Sequence, residues 1–285
     1  MSYRVVVTGG SGRIGSVLCA RLAAAGHGVV VVDRNPPPEQ HGEWVYADLC
    51  DRTALQPVFR NADAVVHLGE LPGIRSGTTG QDVFLRNVRI ATTILEMVSD
   101  LRTPRFVYTS SCQVYGMWGG AYDPRRVRPQ QLPMDETQPL FPRTGYAMAK
   151  AVAEQYAAML AHQKGLGGVI FRLPVTVNDE WLEWFARDTR KLERSVGEVD
   201  GLWTWLHVDD AADAFVAALE REWSGLETIH LSAPDVLGDR PLAERLTPLP
   251  VGWPALPPDA GTRSLLDCSK ARRLLGWTPA RRFGR

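Results

Sequence analysis

Short apolar runs alternate with amphipathic stretches through the first 173 residues. Tyr3–Thr8, Val29–Asp33, Ala64–Leu68, Arg105–Ser110 and Gly168–Leu173 are compact runs rich in β-branched residues. That is the pattern of strands buried on both faces. Trp44–Ala47 is a shorter strand-like run. Between them Arg13–Ala25, Asp82–Leu101 and Tyr146–Gln163 read as helices, with apolar residues at helical spacing. Strand and helix in alternation predict an α/β architecture: a doubly wound parallel sheet covered on both faces.

After Pro174 the character changes. Seven of the 9 Trp lie beyond residue 180, and prolines crowd residues 234–258. This part reads as a small, loop-rich C-terminal region. One segment, TWLHVDDAADAFVAAL, predicts a strand followed by a helix capped at Asp209 or Asp210. The expected organisation is a nucleotide-binding domain over 1–173, to which 203–219 returns. The remainder, 174–202 and 220–285, forms a smaller substrate-binding region. Trp181, Trp184, Trp203 and Trp205 are read as packing in that lobe rather than stacking on a ligand.

Composition removes several function classes. The 285 residues carry a formal net charge of zero, so no broad attraction to nucleic acid or an anionic membrane is implied. No apolar run approaches the ~20 residues that span a bilayer. MSYRVVVTGG reads as a first strand rather than a signal peptide. Cys19, Cys50, Cys112 and Cys268 are scattered, which suits reduced thiols in a cytoplasmic protein. The 6 His are dispersed, so no zinc site is expected. There is no Gly-x-Ser-x-Gly elbow for a hydrolase.

Candidate chemistry begins at Thr8-Gly9-Gly10-Ser11-Gly12-Arg13-Ile14-Gly15. This segment closes the first strand and opens the first helix. Glycines at 9, 12 and 15 allow a tight turn, close approach of backbone to a pyrophosphate, and close helix–strand packing. The helix N-terminus adds N–H groups for phosphate. The context predicts a Rossmann-type dinucleotide site. Asp33, ending the second strand, is placed to accept the adenosine ribose hydroxyls and would repel a 2′-phosphate, favouring NAD over NADP. Arg34 and Arg13 complicate that choice, since either could pair with such a phosphate. Asp48 and Leu49 follow a short strand and could reach the adenine edge. Leu68 and Gly69 end a buried strand on the expected cofactor path, and His67 beside them reads as a core histidine.

Tyr146 and Lys150 sit four apart on a predicted helix and so share one face. An ammonium there lowers the pKa of a neighbouring phenol, about 10 when unperturbed. A phenolate can take a proton from an alcohol as hydride leaves the same carbon. Thr109, Ser110 and Ser111 end the strand upstream and offer hydroxyls to hold that alcohol. Alone, the pair reads first as a surface tyrosine beside a solvated lysine; the glycine loop, Asp33 and Ser111 turn the reading towards catalysis.

TGGSGRIG, Asp33, Asp48, SSCQVYG and Tyr146-x-x-x-Lys150, in this order and spacing, resemble the extended short-chain dehydrogenase/reductase family, most closely its sugar epimerase/dehydratase branch. The resemblance implies roles. Tyr146 would be the general base, and Lys150 would hold the nicotinamide ribose. Ser111, four before Tyr115, would hydrogen-bond the reacting oxygen. Asn87 matches an asparagine near the cofactor ribose, and Pro174 falls among the cofactor contacts. Glu70, Ser111, Gln113, Arg143 and Val175 would touch substrate, with Met117–Leu140 at its entrance.

Departures from the family pattern narrow the chemistry. Sugar 4,6-dehydratases carry Asp-Glu where this chain has Cys112-Gln113, and nucleotide-sugar decarboxylases carry a glutamate at 113. Nucleotide-sugar enzymes commonly carry an asparagine where Val175 stands. TWLHVDD resembles the matching stretch of uronate dehydrogenases, compact members that oxidise free sugar acids. The expected function is an NAD-dependent oxidoreductase or epimerase acting on a secondary hydroxyl of a sugar or nucleotide-sugar. The alternatives are a uronate-dehydrogenase-like enzyme releasing NADH, and a non-catalytic NAD-sensing regulator. The Ala- and Met-rich faces of Tyr146–Gln163 exceed one buried stripe, and with Asp82–Leu101 they suggest a homodimer of the family's four-helix type.

Overall fold

The computed structural model describes residues 2–73, 77–118, 126–187 and 200–284. Residues 119–125 of the expected entrance segment and 188–199 of the expected substrate region lie outside them. Strands β1 (Arg4–Thr8), β2 (Gly28–Val32), β3 (Glu43–Val45), β4 (Ala64–His67), β5 (Arg105–Ser111), β6 (Gly168–Leu173) and β9 (Leu226–His230) form a seven-stranded sheet ordered β3-β2-β1-β4-β5-β6-β9. β1 pairs parallel with β2 and β4, β2 with β3, and β4 with β5. Val5, Val6 and Val7 of β1 have no exposure, which explains why the strand reads as a continuous Val run. β7 (Val175–Val177) and β8 (Trp205–His207) form a separate parallel pair.

The helices are α1 (Arg13–Ala24), α2 (Arg52–Phe59), α3 (Gly80–Asp100), α4 (Gly145–Lys164), α5 (Asp179–Arg187), α6 (Val208–Leu219), α7 (Leu242–Arg245) and α8 (Ser269–Leu275). α3 starts with a capping box in which Thr79 and Asp82 satisfy each other's backbone amides. α4 starts on the Thr144 side chain and stops at Gly165 in the left-handed conformation. No helix among the described residues is long and apolar enough to cross a membrane.

Three differences from the sequence reading have local causes. α2 was not foreseen; Asp51 caps it by accepting the Thr53 and Ala54 amides. α6 begins at Val208, so Asp209 and Asp210 lie in its first turn instead of capping it. The acceptor there is His207, whose Nδ1 takes the Asp209 amide at 3.2 Å. β9, from the region assigned to the small lobe, joins the sheet edge.

The chain divides into two compact units. The first comprises Met1–Ser110, Thr144–Phe171 and Ala211–Thr228. Its core includes Val6, Leu55, Phe59, Ile94, Leu95, Phe106 and Ala157. The second comprises Ser111–Arg143, Arg172–Asp210 and Ile229–Arg285, where Val177, Phe185, Trp205, Ala233 and Leu237 pack together. Trp203 and Trp205 are buried, whereas Trp181 and Trp184 are exposed and set edge-on against Phe185.

Candidate active site

The sheet order reverses between β1 and β4, and ligands of open parallel sheets bind at the carboxyl ends of the strands at such a point. Strand register puts Val32, Thr8, His67 and Tyr108 in one row across that end of the first unit. The glycine loop follows Thr8 directly. Gly9 has φ +71, and a side chain on it would meet the Gly69 backbone at 2.6 Å. A side chain on Gly15 would meet Gly10 Cα at 2.6 Å. Both positions therefore require glycine, and the loop can lie against β1 and present its amides at the α1 N-terminus.

Asp33 stands beside this loop. Its Oδ2 accepts the Ser11 amide at 3.3 Å and its Oδ1 the Asn35 amide at 3.0 Å. The carboxylate keeps further acceptor capacity, as a ribose diol requires. The cradle and the acceptor fit NAD on these grounds. Arg13 and Arg34 are exposed, and Ile14 is half-buried. Leu49 is packed, 9% exposed, and faces the Gly69 backbone. Asp48 is gripped by Arg86 at 2.6 and 2.7 Å. That hydrogen-bonded fork holds its carboxyl below the usual range.

Asn87 is fully buried and bonds the Leu71 backbone at both ends of its amide: Oδ1 accepts from the Leu71 amide and Nδ2 donates to its carbonyl, each at 2.9 Å. This side chain fixes the turn after β4.

The expected dyad lies on α4. Lys150 is 4% exposed in its side chain, and its Nζ sits 5.7 Å from the centre of the half-buried Tyr146 ring. The ammonium donates to the Thr109 carbonyl and lies 4.8 Å from the centre of the Tyr108 ring. Glu70, expected at the substrate entrance, is instead packed against it. The Glu70 side chain is 3% exposed, with Oε2 3.2 Å from Lys150 Nζ. Glu70 Oε1 accepts from the Tyr108 hydroxyl at 2.8 Å and lies 3.6 Å from His67 Nε2. His67 Nδ1 in turn meets Thr8 Oγ1 at 2.6 Å.

Charge in this cluster follows from its surroundings. Burial opposes ionisation of Glu70, yet Lys150, His67 and Tyr108 together hold its carboxyl below the ordinary range. Burial keeps the His67 ring neutral by pulling its pKa down, despite Glu70. Burial, then the Glu70 charge, pushes the Tyr108 phenol well up, so Tyr108 stays a donor. Three buried polar atoms here have no hydrogen-bond partner: His67 Nε2, Glu70 Oε2 and Thr109 Oγ1. The Glu70–Lys150 contact is thus a close ion pair whose angle is not that of a hydrogen bond. Farther along α4, Glu154 accepts from Ser110 Oγ at 2.5 Å, both side chains being buried. Glu154 was not singled out from sequence, though it lies one turn beyond Lys150 on the same helical face.

The other expected residues belong to the second unit. Ser111, 8% exposed, opens a 3-10 turn over Cys112–Tyr115, and its Oγ accepts the Gln113 amide at 3.2 Å. Accepting that amide leaves its own O–H for another acceptor. Cys112 is fully buried, with its thiol donating to the Arg172 carbonyl at 3.6 Å. Arg172 donates to the Tyr115 hydroxyl at 2.6 Å and to the Glu136 carbonyl at 3.0 Å. Tyr115 also meets His230 Nε2. Arg143 is exposed and donates to the Gly116 carbonyl at 3.1 Å. Pro174 is buried, and Val175 is 38% exposed.

A model of the NAD-dependent epimerase/dehydratase family matches residues 5–231. The chain is similar to a UDP-glucose 4-epimerase of Rhizobium meliloti (strain 1021), 26% identical over 314 residues, covering 96% of this chain and 92% of the relative. It is similar to a dTDP-glucose 4,6-dehydratase of Streptomyces niveus, 27% identical over 308 residues, covering 97% and 88%. Among solved structures it resembles a UDP-galactose 4-epimerase, with a TM-score of 0.71, 26% identity, and coverage of 98% of this chain and 94% of that one. It also resembles a UDP-glucose-4-epimerase from Stenotrophomonas maltophila with bound NAD and formylated UDP-arabinopyranose: TM-score 0.73, 25% identity, coverage 99% and 94%.

Proposed function

Since the chain belongs to the NAD-dependent epimerase/dehydratase family, we propose that it oxidises a secondary hydroxyl of a sugar or nucleotide-sugar through Ser111, Tyr146 and Lys150. It is an NAD-dependent enzyme of the short-chain dehydrogenase/reductase class. NAD, when bound, supplies the hydride acceptor. Gly9, Gly12 and Gly15 hold the pyrophosphate against loop amides, and Asp33 accepts the adenosine ribose hydroxyls. Tyr146 takes the substrate hydroxyl proton. Lys150 favours the phenolate by its charge, and Ser111 donates to the reacting oxygen. Reduction of the resulting ketone on its opposite face gives an epimer, and its release gives net oxidation.

The observation that carries this reading is the nearly unexposed Lys150 ammonium 5.7 Å from the Tyr146 ring. Solvated surface pairs do not bury the lysine, so the arrangement favours a functional dyad over a chance one. The test is a screen of nucleotide-sugars, uronic acids and free sugars with NAD, following NADH and product stereochemistry. Loss of turnover in Tyr146→Phe is expected; retained turnover would count against the reading.

Val175 favours a second reading, oxidation of a free sugar acid with NADH release. It is apolar and 38% exposed at the place where nucleotide-sugar enzymes of this family commonly carry an asparagine. Turnover of uronic acids but not of nucleotide-sugars would select it. A homodimer through α3 and α4 is also proposed, because Leu85, Met148 and Met159 leave apolar area exposed on those helices. A monomeric mass by light scattering at micromolar concentration would exclude it.

A further inference from the structure

Lys150 is the group expected to acidify Tyr146, yet it does not meet that phenol as a lone cation. A carboxylate with a 3% exposed side chain stands 3.2 Å from its Nζ. Removing two charges from water costs more than a stability role readily explains. The placement of Glu70 is also over-determined. Tyr108 on β5 donates to Oε1, His67 on β4 flanks the same oxygen, and Thr8 on β1 holds the His67 ring. Oε2, aimed at Lys150, is left without a hydrogen bond.

We propose that Glu70 is a positioning residue that fixes the Lys150 ammonium against the Thr109 carbonyl and offsets the charge that Lys150 presents to Tyr146. This rests on the hydride-transfer reading above. Among the described residues, the ionisable groups facing this space are Tyr146, Lys150 and Glu154 from α4, Tyr108 from β5, His67 from β4, and Glu70 from the turn that follows it. His67 is kept neutral by burial, and Tyr108 keeps its proton. Glu154 lies one helical turn beyond Lys150 and is engaged by Ser110. Glu70 is therefore the carboxylate in contact with the ammonium. Its effect is to moderate Tyr146: the phenol is acidified less than a lone lysine would achieve, and the residue stays usable in both directions, as base in oxidation and as acid in reduction.

The test reads Tyr146 directly. Full-length protein with NAD bound is labelled with ¹³Cζ-tyrosine and titrated by NMR, and the Tyr146 signal is assigned by its loss in Tyr146→Phe. Two unit charges on the order of 10 Å apart at an effective dielectric near 20 interact by about one pH unit. Glu70→Gln is thus expected to move Tyr146 ionisation to lower pH by about one unit. Ionisation at the same pH as in the parent protein would overturn the proposal. Glu70→Gln leaves Lys150 buried without its counter-charge, which destabilises the fold, so a second pair is used. Lys150→Met, which keeps the Glu70 carboxylate without its partner, is compared with the Lys150→Met, Glu70→Gln double variant, which carries neither charge and so folds without a buried ion. Tyr146 should ionise at higher pH in the single variant than in the double; equal values would overturn the proposal. Retained turnover in Tyr146→Phe would instead refute the hydride-transfer reading and leave the titration comparison standing.

Discussion

At Thr8–Gly15 the chain brings backbone close to backbone by removing side chains, whereas around Lys150 it crowds His67, Glu70, Tyr108 and Tyr146 about one ammonium. Both regions lie in the first unit and both depend on the β1–β4 end of the sheet. In the loop, geometry is set by backbone: a φ of +71 at Gly9 and approaches that leave no room for a Cβ. In the cluster, geometry is set by charge, with an ion pair 3.2 Å long and buried polar atoms left unbonded. Damage to the loop should therefore appear as lost binding at every pH. Damage to the cluster should appear in rate and in pH dependence, with binding largely kept.

The largest effect is expected in the cluster. Tyr146→Phe should lower kcat by ~10²–10⁴-fold, the usual worth of a positioned acid–base group, while calorimetry shows NAD affinity within a few-fold of the parent. A comparable loss of NAD binding would erase the division between the regions. Next comes the loop. Gly9→Val forces a β-branched residue to positive φ and into the Gly69 backbone, so NAD affinity should fall by at least ~100-fold. The loss should be equal at pH 6 and pH 8, and a pH-dependent loss would break the comparison. Asp33→Asn removes the charge that excludes a 2′-phosphate and should move the NADP/NAD affinity ratio towards NADP by roughly tenfold. An unmoved ratio would mean that Arg13 and Arg34, not Asp33, set the preference.

The smallest effect concerns stability. The folded pKa values of His67 and Glu70 are both depressed. A depressed group contributes stability that is present above its unfolded pKa and is lost as pH falls through the folded value. The His67 share should begin to fade below about pH 6.5, and the Glu70 share below about pH 4.3. Urea midpoints of Glu70→Gln should therefore fall less steeply than the parent's below about pH 4. Parallel curves would mean that Glu70 is not held as a charged group in the folded protein.

The same contrast explains what could be read beforehand. The loop is contiguous, and its glycines, its strand and its helix fall within residues 4–24, so its strand–turn–helix geometry is legible in sequence. That Tyr146 and Lys150 share a helix is legible through their spacing. Glu70 was visible as a residue but not as a neighbour of Lys150. It follows a strand and a glycine, like an acid at a cavity mouth. Its burial depends on register between β4 and β5 and on a helix 80 residues on, which no local spacing encodes. Asn87 was read from family pattern alone, while its partner, the Leu71 backbone, lies in a loop whose course is set by tertiary packing. β9 was missed because LETIH mixes polar residues into its run, as edge strands do.

Asp210 offers a practical guide for handling the protein. Its carboxylate accepts the Ala280 and Arg281 amides at 2.9 and 3.0 Å, and its carbonyl accepts the Trp277 indole at 2.9 Å. Asp209 adds a contact to Arg281 at 2.7 Å. One short stretch at the start of α6 thus buckles down residues 277–281. A deletion begun at 277 would strip these contacts and leave the Asp210 carboxylate, now 2% exposed, without them. Purification tags and reporter fusions are better attached after that buckle, where lengthening the chain leaves it closed.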